Sequence, residues 1–128
     1  MALSQVDRSL LARIGFFLAR DGEVPEAEKL FQGLAASDPA KDGPVVGLAL
    51  CSIIKGRFED AISKLDQRLE IGSVIGSALS LYKLVALGMS GRLSEARQLK
   101  IEMQEKNWGE AVGLAETLLV DLEKRQPS

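Results

Sequence analysis

Three short segments of this chain recur at a nearly constant interval, and that interval restricts the fold more than any other feature. Gly22-Glu23-Val24-Pro25-Glu26-Ala27, Gly56-Arg57-Phe58-Glu59-Asp60-Ala61 and Gly91-Arg92-Leu93-Ser94-Glu95-Ala96 share one order: glycine, charged, apolar, any residue, acidic, alanine. Gly56 lies 34 residues after Gly22 and Gly91 lies 35 after Gly56, and the alanines keep the same intervals. A period of that length belongs to stacked helix-turn-helix units, none of which can bury its apolar face alone. Glycine after a helical run takes positive φ without steric cost and so closes the helix. The acidic residue then falls in the first turn of the next helix, where it meets the positive end of the macrodipole. The small alanine lets two helices approach. None of these requirements is catalytic.

Apolar spacing places the helices. Leu10, Leu11, Ile14, Phe17 and Leu18 fall on one broad face of a first helix, about 5–20, and Leu30, Phe31 and Leu34 mark a second, about 25–36. Pro25 suits a first helical turn, where its missing N–H costs nothing. Asp38-Pro39 breaks the chain. A third helix is expected from Pro44 to about Lys55, with Asp42 as its cap. Ile62, Leu65 and Leu69 mark a fourth, about 58–70, followed by a fifth at about 74–89 and a sixth at about 94–106. Asn107 interrupts, and Trp108 to Lys124 form a seventh helix suited to covering the last open core face of a stack. Trp108 is expected to anchor that helix by packing, and the tail Gln126-Pro127-Ser128 to be frayed.

Composition then removes several classes of function. The 128 residues are 46% hydrophobic, which supports a single domain, 1–128, with a real core. Sixteen basic against 18 acidic residues give a net charge of −2, with no basic excess to neutralise a phosphate backbone. Nucleic acid is therefore not an expected partner. The chain has no His, so both the usual near-neutral base and the commonest metal ligand are missing. Cys51 is the one cysteine, which excludes an internal disulfide and a cysteine-rich zinc site, and without a His beside it the thiol reads as a small core hydrophobe. Neither a catalytic site, a metal nor a cofactor is expected. The start, Met1-Ala2-Leu3-Ser4-Gln5-Val6-Asp7-Arg8, lacks the basic and apolar runs of a secretory signal. The stretch Ile71–Ser90 is apolar but contains Lys83, and reads as a buried helix in preference to a membrane span. Its Gly-Ser-Val-Ile-Gly-Ser run lacks the Lys-Ser/Thr ending of a phosphate loop.

With these residues in view, the chain resembles a tetratricopeptide repeat protein over about residues 8–124. The first repeat is the fullest match, with Leu11, Ile14, Gly15, Leu18, Ala27, Phe31 and Pro39 at the family's spacing. The second keeps Leu48, Ala49 and Ala61. The third has one extra residue before it, Lys100 at an aromatic position and Trp108 in place of the usual proline. The resemblance implies an all-α fold: a right-handed superhelix of three helix-turn-helix repeats, about 8–41, 42–76 and 77–107, plus a C-terminal capping helix at about 108–124.

In such proteins the first helix of each pair lines a concave groove that holds a partner polypeptide. Carried onto this chain, the groove positions are Ala12, Arg13, Phe16 and Arg20, then Val46, Leu50, Ile53 and Ile54, then Leu81, Tyr82, Val85 and Met89. The Lys and Asn with which some relatives clamp a C-terminal carboxylate are absent. An apolar trough suits an amphipathic helix or an extended segment with aliphatic anchors, while Arg13 and Arg20 either hold acidic residues of that partner or stay solvated. The C-terminal helix or a second copy of the chain could equally cover the trough, and a homodimer or heterodimer fits the reading. The chain is also similar to the small tetratricopeptide chaperones of bacterial type III secretion. This implies a non-enzymatic, cytoplasmic protein that holds a needle or translocator subunit before export. The alternative is a generic bacterial tetratricopeptide adaptor that self-associates or assembles a complex.

Overall fold

The computed structural model describes residues 4–73 and 75–125; the expected fraying of Gln126-Pro127-Ser128 lies outside them. Among the described residues the chain forms seven α-helices and no strand: α1 (Gln5–Arg20), α2 (Val24–Ser37), α3 (Gly43–Ile54), α4 (Phe58–Ile71), α5 (Gly76–Met89), α6 (Leu93–Glu105) and α7 (Gly109–Arg125). They group into two compact units that meet in sequence at Arg57 and Phe58. In the first unit α1 packs on α2 and α3, and α2 packs on α3. In the second, α5 packs against α4, α6 and α7, and α6 also packs on α7.

The repeated hexapeptide explains the helix boundaries. Gly22, Gly56 and Gly91 have φ of +88°, +77° and +87°, the left-handed region in which a Cβ is strained. Each turn is closed by the same pair of backbone bonds. Gly22 N–H donates to the Ala19 carbonyl and Glu23 N–H to that of Leu18. Gly56 and Arg57 do the same to Ile53 and Ser52, and Gly91 and Arg92 to Gly88 and Leu87. Asn107, at φ +61°, completes a fourth copy without glycine, its N–H donating to Gln104 and that of Trp108 to Met103. The alanines of the repeat, Ala27, Ala61 and Ala96, are fully buried. Pro25 and Pro44 occupy first-turn positions as expected. Asp42 does stand at the N-cap of α3, but its backbone is helical and its side chain makes no cap bond, so it does not act as the expected cap. Ser4 caps α1 instead, accepting from the Asp7 N–H at 3.1 Å while Asp7 accepts from the Ser4 N–H.

The core of the first unit is built around the Phe31 ring, which is wholly buried. A Cβ at Gly15 on α1 would lie 2.6 Å from Phe31 Cζ, and one at Gly47 on α3 would lie 2.4 Å from the same ring, so the phenyl fills a slot between two helix backbones. Phe16 meets it edge-on, with centroids 4.9 Å apart and planes at 63°. Leu34, Val24, Ala19 and Cys51 complete the cluster, with Leu11, Leu18, Leu30, Leu48 and Leu50 around it. Burying a phenyl contributes about 1.5–3 kcal/mol. In the second unit Leu65, Leu79, Leu84 and Met103 are fully buried, and Leu122 of α7 sits where a Cβ at Gly88 would be, 2.5 Å away. Trp108 packs its ring edge near the first residue of α5, Gly76, consistent with an anchoring role before α7.

One expectation fails on α1. Leu10, Ile14 and Phe17, assigned by spacing to the buried face, are 55%, 45% and 55% exposed, and with Val6 at 76% they form an outward ridge. The inward residues are Leu11, Ala12, Gly15, Leu18 and Ala19. Apolar residues occupy most of the circumference of α1, so spacing alone could not tell which arc α2 and α3 would cover.

Candidate functional site

The residues carried onto the groove by resemblance divide between the two units and differ in exposure. On α1, Arg13 and Arg20 are exposed and Phe16 is half-buried. The Arg20 guanidinium lies 4.6 Å over the centroid of the Phe17 ring, a cation–π contact. On α3, Leu50 is half-buried and Ile54 is 47% exposed, whereas Val46 and Ile53 retain only 6% and 7% of their surface. Phe16 and Leu50 both pack against the Phe31 cluster, from different helices. On α5, Leu81, Tyr82 and Val85 are half-buried and Met89 is 40% exposed; Tyr82, Val85 and Met89 follow helical spacing along one face. The side chains most available to a visitor are therefore Ile54 and Met89, with Leu50, Phe16, Leu81, Tyr82 and Val85 presenting part of their surface.

Charged residues are mostly engaged with one another. In the first unit Arg8 pairs with Asp38 at 3.1 Å, and Lys55 pairs with Glu28. In the second unit Arg92 donates to both oxygens of Glu59, at 2.7 and 2.8 Å, and is also bound to Glu95. Lys83 meets Asp66 at 2.7 Å. Asp66, Lys83, Arg92 and Glu95 line a polar cleft of about 320 Å³ that Ile62 and Glu102 also border. The hydrogen bond from Arg92, and then its charge and that of Lys83, hold the Glu95 carboxyl below its ordinary range. Both ions of the Arg92–Glu95 pair are thus stabilised as charged species, and neither is poised to exchange a proton near neutrality. The Cys51 thiol is pushed up, chiefly by burial and then by the charge of Glu28, which makes it a poor nucleophile. Among the described residues no three His, Cys, Asp or Glu side chains are placed to hold a metal ion. Nor is any helix among them long and apolar enough to cross a membrane.

Sequence reasoning missed the outward ridge of Val6, Leu10, Ile14 and Phe17 as a surface. The spacings of three and four among these residues carry the signal, but the same spacings mark a buried face.

Helices paired through a repeated left-handed turn, with a buried alanine one turn into each following helix, define a tetratricopeptide-like all-α protein. Solved structures agree. The type III secretion translocator chaperone SycD of Yersinia enterocolitica, crystallised as an alternative dimer, matches with a TM-score of 0.74 and 20% sequence identity, over 96% of this chain and 98% of that one. A second SycD structure matches with a TM-score of 0.72 and 20% identity, over 96% of this chain and 88% of the other. No family model matches the sequence, and neither does any curated protein sequence.

Proposed function

We propose that this chain is a non-enzymatic protein-binding module, a cytoplasmic chaperone that holds an apolar or amphipathic segment of a type III secretion translocator or needle subunit. The observation that carries this reading is the likeness to a translocator chaperone along nearly the whole of both chains. The segment would lie in a concave groove of a right-handed superhelix lined by Arg13, Phe16, Arg20, Val46, Leu50, Ile53, Ile54, Leu81, Tyr82, Val85 and Met89. Of the apolar residues in that set Ile54 and Met89 keep the most exposed surface and would make the main contact, while Val46 and Ile53 are buried and would contribute least. Desolvating four such side chains would supply roughly 6–12 kcal/mol gross, from which an association cost of about 4 kcal/mol or more is subtracted.

The test is co-expression with translocator and needle subunits of a type III secretion system. The expected result is a soluble complex that survives gel filtration, weakened at least tenfold by Ile54→Asp and Met89→Asp with unchanged far-UV helicity. A complex indifferent to both substitutions would overturn the groove, and failure to bind any such subunit would overturn the chaperone role. A second reading, an adaptor that self-associates, draws on the exposed ridge of Val6, Leu10, Ile14 and Phe17. Light scattering on the isolated protein decides it: a dimer broken by Leu10→Asp supports that reading, and a monomer at all concentrations refutes it.

A further inference from the structure

The chain holds seven aspartates, and two of them, Asp21 and Asp42, precede glycine. An Asp-Gly pair carries a latent reaction: the glycine nitrogen attacks the carboxyl carbon of the aspartate side chain and closes a cyclic imide. Glycine has no Cβ to shield that nitrogen. Asp38 cannot follow this route, because Pro39 has no N–H. Asp7, Asp60, Asp66 and Asp121 are followed by Arg8, Ala61, Gln67 and Leu122, whose side chains crowd the approach.

The fold separates the two Asp-Gly pairs. Gly22 N–H donates to the Ala19 carbonyl at 3.2 Å, and its φ of +88° belongs to the turn that closes α1. Cyclisation at Asp21 has to open that turn first. Gly43 is instead the first residue of α3, a position at which the helix offers the N–H no carbonyl. Among the described residues no acceptor takes it. Asp42 and Gly43 are both half-buried, so water reaches the pair.

We propose that Asp42-Gly43 is a site of spontaneous isoaspartate formation. The Gly43 nitrogen bonds to Asp42 Cγ, and the amide hydrogen leaves with the hydroxyl of the protonated carboxyl as one water. A second water opens the imide at the former main-chain carbonyl, so the chain then runs through Cβ and Cγ and the α-carboxylate becomes a branch. Nothing is oxidised or reduced. The consequence falls on α3. In the native chain the Asp42 carbonyl accepts from the Val46 N–H at 3.0 Å. In the isoaspartyl chain that oxygen belongs to the branching carboxylate and the main chain is one atom longer, so the first turn of α3 loses its register.

The test ages the folded full chain at neutral pH and body temperature. An isoaspartyl O-methyltransferase with labelled S-adenosylmethionine marks the product, and peptide mapping assigns the label. Label is expected at Asp42 about two- to tenfold ahead of Asp21, the protection given by one backbone hydrogen bond. In urea the two sites should label at the same rate, because each is then a bare Asp-Gly pair. Asp42→Glu, whose longer side chain cannot close the same ring, should remove that label with unchanged far-UV helicity. The Val46 amide should exchange with deuterium faster in the aged fraction than in fresh protein. Three results would overturn the proposal: label at Asp21 equal to or ahead of Asp42 in the folded chain, a folded Asp42 that stays unlabelled while both sites label in urea, or label that persists in Asp42→Glu. Unchanged exchange at Val46 in labelled protein would overturn the effect on α3.

Discussion

Replacing Gly47 by alanine should destabilise the protein even though alanine is the better helix former. A Cβ at that position would lie 2.4 Å from Cε1 and Cζ of Phe31, well inside contact distance. The ring cannot retreat, because on its other side the Cβ position of Gly15 is 2.6 Å away and the side chain is fully buried. Overpacking of this kind costs about 1–3 kcal/mol, while the change from glycine in a helix returns at most about 1 kcal/mol. Contacts this short put the cost in the upper part of that range, about 2–3 kcal/mol, so the expected net loss is about 1–2 kcal/mol, or roughly 4–8 °C in Tm for a chain of this size. Gly33 on α2 is the control: it is exposed, has no heavy atom within 4 Å of its Cβ position, and should gain up to about 1 kcal/mol on the same change. Urea unfolding followed by circular dichroism at 222 nm measures both. Adding Phe31→Leu should cost less in the Gly47→Ala background than in the parent, since the smaller side chain relieves the clash. A Gly47→Ala protein as stable as the parent would refute the account of a ring wedged between two backbones.

Three further outcomes follow from the caps, the thiol and the ion pairs. Gly22→Ala should cost about 1–2 kcal/mol because φ is +88° there, whereas Asn107→Gly, at φ +61°, should be neutral or mildly stabilising; equal effects in chemical denaturation would contradict the turn assignment. Cys51, buried and with its thiol pushed above the ordinary 9.0, should react with Ellman's reagent only as fast as the unit opens, and labelling at the rate of a free thiol would contradict its burial. The Glu95 carboxyl is held below its ordinary 4.5 by Arg92, so its contribution is complete above that pH and lost as pH falls through the lower folded value. Glu95→Gln should therefore flatten the acid limb of the stability profile below about pH 4.5, and an unchanged limb would show that the pair adds nothing.

The helices were legible because their ends are written in local chemistry. The glycines at 22, 56 and 91, the first-turn prolines and the acidic residues after each turn fix boundaries to within about two residues of those observed. Asn107 was legible as an interruption, though only the structure shows it adopting the same left-handed turn as the glycines. What local chemistry does not encode is which arc of a helix its neighbours will cover. On α1 the apolar residues surround the axis, so Leu10, Ile14 and Phe17 resembled core until α2 and α3 were seen to close over Leu11, Gly15 and Leu18. Asp42 failed as a cap because its backbone stays helical, which removes the extended geometry that lets a capping carboxylate turn back on its helix. Two of the candidate groove residues, Val46 and Ile53, are more enclosed than an apolar stripe suggests, since the spacing that lines a groove is also the spacing that fills a core. Gly15 and Gly47 carried no sequence signal of their role, which depends on one aromatic ring arriving from α2.

The four left-handed turns have a bearing on biosynthesis as well. Each is finished by bonds that span only six consecutive residues, such as Leu18 to Glu23 and Met103 to Trp108. A nascent polypeptide can thus complete every bend soon after it clears the ribosome, without waiting for a distant stretch to be translated. Chains ordered by such short-range contacts collapse in microseconds to milliseconds, far faster than synthesis at ~5–20 residues per second, so the first three helices have time to assemble before the last has been made.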